Sequence, residues 1–118
     1  MDNKKTDFYY VEKIMTDLAF VINHTEGLTL EELKLNEVLV DSVMFRLIQI
    51  SENASKLTQN FKLQYPHIPW HSMKALRNRI VHEYGSVDLV VVYKTVKEDI
   101  PNLLSLMKTY VELFNNSL

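Results

Sequence analysis

The chain has no cysteine among its 118 residues. Disulfide stapling and thiolate metal sites are thereby excluded. Glycine occurs twice and proline three times. Interrupters are therefore scarce in a chain rich in Leu, Lys and Glu, and such a composition favours helix. No run of about 18 uncharged apolar residues exists, so no membrane span is expected. The opening residues Met1 to Lys5 lead into an amphipathic segment, not an apolar signal core, and a cytoplasmic location is expected. Excess positive charge is also missing: the net charge is −2. A general nucleic-acid coat is not expected from such a chain, and neither is DNA binding, but a small basic site can still act on RNA. A single domain of this length buries roughly two-thirds of the surface its unfolded form exposes. It can hold a core with no cofactor and no metal.

The pattern that is present is helical, and it implies one domain over residues 1–118. Val11, Ile14, Leu18 and Val21 recur at helical spacing and predict a first helix from Asp7 to about His24. Gly27 fits the break after it. Thr29-Leu30-Glu31-Glu32 has capping-box form and opens a short helix. A long second helix is predicted from about Asn36 to about Tyr65, striped by Val40, Val43, Leu47, Ile50, Ala54 and Phe61, with Pro66 ending it. Pro69 fits the first turn of a third helix, Trp70 to Tyr84. Gly85 can stop that helix in the left-handed conformation, and Ser86 or Asp88 can cap the next.

Leu89-Val90-Val91-Val92-Tyr93 has strand propensity. Yet Leu89, Val92, Val96, Ile100, Leu103, Met107, Tyr110 and Phe114 sustain a 3.6-residue rhythm too long for a strand, and helix is predicted. Pro101 should kink or restart it. The expected fold is all-α: an antiparallel bundle of about four main helices plus a short one.

One segment carries chemistry: Arg77-Asn78-Arg79-Ile80-Val81-His82-Glu83-Tyr84-Gly85. Taken as continuous helix at about 100° per residue, Val81, Tyr84, Met73 and Ile80 all fall within about 60° of Arg77. Arg77 thus sits in an apolar stripe, with Arg79 and Glu83 on the far side. Asn78 and His82 are neighbours four apart. An arginine cannot shed its charge, so on a burial face it either pairs with a carboxylate or lines a cleft that receives an anion. His82 suits proton transfer near neutral pH. Arg77 can stabilise charge growing on a phosphoryl group. The set suits attack of a ribose 2′-hydroxyl on the adjacent phosphate without a metal. A salt-bridged arginine and a solvated surface histidine are the plainer reading of the same residues.

Other features read as structural. His67 and His71 are four apart, but Pro69 lies between them and a metal site is not expected. Trp70 reads as a packing anchor. The five methionines read as core or interface filler. Lys74, Arg77 and Arg79 form a small basic patch that solvation explains. Glu52 is a candidate partner for Arg77 or a solvated surface group. Too few carboxylates and histidines recur at the spacing of a four-helix metal carrier.

The motif Arg77-x₄-His82-x-Tyr84, with Asn78 after the arginine, resembles the signature of HEPN ribonucleases, and most closely that of the HepT-like toxins of HepT/MntA-type modules. The likeness extends to Phe45–Leu57, to Pro66-His67-Ile68-Pro69-Trp70 before the motif helix, and to Gly85-Ser86-Val87-Asp88-Leu89 after it. One departure is Ser51-Glu52-Asn53, where the family often has Gly-Glu-Ala. The resemblance implies a homodimer with facing motif helices and a composite cleft. It implies metal-independent endoribonuclease activity resting on Arg77, Asn78 and His82. It also implies a partner, an MntA-like nucleotidyltransferase antitoxin that transfers AMP to Tyr84. A non-catalytic helical module that binds a nucleotidyltransferase is the alternative.

Overall fold

The computed structural model describes residues 3–117, and these are all-helical, with no strand among them. Met1 and Asp2, part of the N-terminal segment read above, lie outside the described residues. Helix α1 spans Asn3–Thr25, α2 Leu30–Leu35, α3 Glu37–Ala54, α4 Gln59–Gln64 and α5 Trp70–His82. A single 3₁₀ turn, Tyr84–Ser86, follows α5. Then come α6 (Leu89–Lys94), a π-helical turn (Thr95–Asp99) and α7 (Ile100–Asn116). No helix among the described residues is long and apolar enough to cross a membrane.

The periodic residues form the core. Val11, Ile14, Leu18 and Val21 are fully buried on α1, which packs between α3 and α7. Val43, Ile50, Val92, Ile100, Leu103 and Met107 close the same cluster. The capping box holds: Glu32 N donates to Thr29 Oγ1 at 3.1 Å, and Thr29 N donates to Glu32 Oε1 at 3.0 Å. Asn36 caps α3 through its side chain. Asp88 caps α6, accepting from Val90 N at 2.9 Å.

The long second helix is two helices. The chain leaves α3 at Ser55 and restarts at Thr58, whose hydroxyl caps α4 by accepting from Phe61 N at 3.2 Å. The cause is tertiary. The buried Asp7 carboxylate accepts from Thr58 N at 2.8 Å and from Thr58 Oγ1 at 2.7 Å. A continuous helix would commit that backbone N–H to its own ladder.

The third helix also ends early. It stops at His82, with Glu83 at φ −138° and ψ 43°, so Tyr84 lies in the turn beyond it. Gly27 takes the left-handed conformation at φ 71°, whereas Gly85 does not. Pro69 stands at the N-cap of α5, one residue before the helix. Pro101 does restart the last helix. The π turn just before it opens the ladder, with Ile100 N reaching back to Thr95 O, where a proline ring would otherwise press on the preceding turn. Ser51 is buried on α3.

Candidate active site

α5 packs against α3, and of the candidate residues Arg77 and Tyr84 reach side chains of α3, Glu52 and Asp41 respectively, whereas no such contact links His82 to α3 among the described residues. Ile80 is fully buried and Met73 half-buried, which fixes the rotation of α5. Arg77 then falls at the edge of the interface, its side chain 30 % exposed. Its Nη2 donates to Glu52 Oε1 on α3, and its Nη1 donates to Asn78 Oδ1 at 3.0 Å. Of the two fates open to a stripe arginine, the carboxylate pairing is realised. The Arg77 hydrogen bond, and then its charge, hold the Glu52 carboxyl below its usual range. A guanidinium has five N–H donors. Two committed to Glu52 and Asn78 leave others for an anion.

Asn78 and His82 are exposed on the flank of α5. Around the helix, Arg77 and His82 diverge by about 140°. Val81 is exposed rather than part of a buried stripe.

Tyr84 departs from its expected place on the helix face. In the turn after α5 its hydroxyl donates to Asp41 Oδ1 of α3. Partial burial, the hydrogen bond to Asp41, and the charges of Asp41 and Glu37 push its phenol up from 10.0 to about 12. The side chain as a whole is still 46 % exposed. Asp41 carried no signal in the sequence, because it meets Tyr84 only through the packing of the turn on α3. Val38 and Phe45, three before and four after Asp41 on α3, are exposed. The Asp41–Tyr84 bond therefore lies on the face of α3 that carries these two exposed apolar side chains.

Among the described residues no three His, Asp or Glu side chains group together to hold a metal ion. His67 lies in the turn before α5 and His71 in its first turn, both exposed.

Residues 14–110 match the family described as HepT-like, ribonuclease HepT-like. The chain is 32 % identical over 100 residues to a protein named "Probable ribonuclease HepT" from Thermococcus cleftensis, covering 85 % of this chain and 91 % of that one. It is 26 % identical over 108 residues to a "Putative RNase" of Caldanaerobacter subterraneus, covering 92 % and 96 %. It is 32 % identical over 95 residues to a "Putative RNase" of Methanocaldococcus jannaschii, covering 80 % and 86 %. No solved structure gives a significant match. The chain therefore belongs to the HepT-like ribonuclease family, a class of RNA-cleaving enzymes.

Proposed function

We propose that this protein is a metal-independent endoribonuclease, the cytoplasmic toxin of a toxin–antitoxin pair, neutralised when a cognate nucleotidyltransferase attaches AMP to Tyr84. The observation that carries the reading is Arg77, fixed by Glu52 and Asn78 at the rim of the α3–α5 contact, within one helical turn and a half of an exposed His82. In the reaction the 2′-oxygen of a ribose bonds to the adjacent phosphorus and gives its proton to His82. The phosphorus–5′-oxygen bond breaks, and the leaving oxygen takes up a proton. The products are a 2′,3′-cyclic phosphate and a 5′-hydroxyl. Arg77 stabilises the charge on the phosphoryl oxygens, with Asn78 and Glu52 setting its direction.

The divergence of Arg77 and His82 around one helix favours a homodimer, in which facing copies of α5 aim both groups into one cleft. The exposed apolar side chains Val38 and Phe45 of α3 suit that contact. AMP on Tyr84 would add bulk and negative charge there and repel the RNA backbone. In that transfer the phenolic oxygen bonds to the α-phosphorus of ATP, pyrophosphate leaves, and Asp41 stands ready for the phenolic proton.

Arg77→Ala and His82→Ala each abolish RNA cleavage with the fold retained by circular dichroism, a loss of about 10²-fold or more. Wild-type cleavage persists in EDTA. Activity that disappears in EDTA and returns with magnesium would overturn the metal-free mechanism.

A further inference from the structure

A concavity lies along the N-terminal half of α5. A cleft of about 420 Å³ is walled by α3, α4 and α5 and lined by Lys62, Leu63, Trp70, His71, Met73 and Lys74 among others. Three features give it a chemical preference. Of the 15 acidic residues in this net-negative chain, none lines the cleft, whereas two lysines and a histidine do. Neither lysine has a carboxylate within ion-pair distance among the described residues. Glu52, next in sequence to the lining residue Ser51, is already paired with Arg77.

The lining beside these lysines is largely apolar. Trp70 is a packing anchor on one side: its Nε1 donates to Tyr65 O at 3.1 Å, and its ring meets Phe61 edge-on. The ring is only half-buried, and its remaining surface faces the cleft beside Met73 and the exposed Leu63. A ring held by its own N–H presents a fixed face to a ligand. Position along the helix supplies the third feature. Trp70, Met73, Lys74 and Arg77 follow at three- and four-residue steps on one face of α5, and Lys74 precedes Arg77 by one turn, about 5 Å. The cleft and the guanidinium are consecutive stations on one surface.

We propose that this cleft is a subsite for single-stranded RNA flanking the cleaved bond, with Lys62 and Lys74 on backbone phosphates and an unstacked base against the Trp70–Met73 wall. The charges match a polyanion, and the apolar wall beside them matches a base rather than a carboxylate side chain. This rests on the ribonuclease reading, and it assigns the lysines to substrate hold rather than to the chemical step.

The test compares Lys62→Glu/Lys74→Glu and Lys62→Ala/Lys74→Ala with Lys13→Glu/Lys108→Glu, a pair of lysines outside the cleft. Binding is measured by anisotropy with a short labelled single-stranded RNA, all proteins carrying His82→Ala. Cleavage kinetics are measured with His82 intact. Alanine at both cleft lysines should flatten the salt dependence of log affinity by about 1.4, from about 0.7 per phosphate contact on a single strand. Charge reversal should weaken binding by about tenfold or more, with the loss in cleavage falling on KM rather than kcat. The Lys13/Lys108 pair should change neither. If wild type cleaves RNA and the cleft pairs keep its affinity, salt slope and KM, the subsite is wrong and the nuclease reading stands. If wild type neither binds nor cleaves RNA, both fall. Equal affinity for RNA and poly-glutamate would also overturn the subsite, pointing to an acidic protein partner.

Discussion

The phenol of Tyr84 donates to Asp41, and that contact makes it distinguishable from the other five tyrosines in solution. Its ionisation is displaced upward to about 12 by partial burial and by the carboxylates of α3. Titration of the tyrosinate absorbance should show one phenol ionising well after an unperturbed group, and Asp41→Asn should bring it back toward 10.0. The linkage has a definite sign. A folded-state value above the unfolded one favours the folded protein below pH 10, and this contribution is lost as pH rises from about 10 to about 12. Stability measured across that window should fall less steeply in Asp41→Asn than in wild type. An identical pH dependence in the two proteins would refute the contact. Glu52 works in the opposite direction: its lowered value favours folding above the ordinary carboxylate range, and the contribution fades as pH falls.

At the scale of elements, the junction between α3 and α4 depends on a pair of side chains far apart in sequence. Thr58 caps α4 and also satisfies the buried Asp7 carboxylate of α1. Thr58→Ala removes the cap, typically worth about 1 kcal/mol, and withdraws one of the two donors Asp7 accepts from, at about 1–3 kcal/mol more. Thermal denaturation should show a loss of about 2–4 kcal/mol. Thr29→Ala, which removes only the cap of the exposed α2, should cost about 1 kcal/mol. Equal losses at the two positions would mean that Asp7 does not hold the junction. The π turn before Pro101 follows the same logic locally: the ladder widens where the proline can neither donate nor fit.

For the whole molecule, the exposed Val38, Phe45, Val81 and Tyr84 and the divergence of Arg77 from His82 lead to one expectation. Light scattering should give a mass of about 28 kDa, twice the 13.9 kDa of one chain, and Phe45→Glu should shift it toward the single-chain value while cleavage is lost. Full cleavage by a species of one chain would rule out a composite cleft. Phe45 is a suitable probe because its side chain is exposed on α3 and leaves the core cluster untouched.

Helix type, the core stripes, the Thr29 capping box, the Asp88 cap and the Arg77–His82–Tyr84 motif were legible in the residues because each acts over a few positions. Helical periodicity and capping need only neighbours within about a turn, and the motif is a spacing. The same local rules misplaced the break at Thr58, the end of α5 at His82 and the conformation of Gly85. The break and the setting of the turn after α5 involve groups brought together from afar: Asp7 and Thr58 are 51 residues apart, Asp41 and Tyr84 are 43. The choice between a paired arginine and an open anion cleft likewise waited on how α3 and α5 pack. Periodicity states which face of a helix is buried but not which partner's side chains meet its rim, and that rim is where the guanidinium, the phenol and the lysine-lined cleft acquire their surroundings.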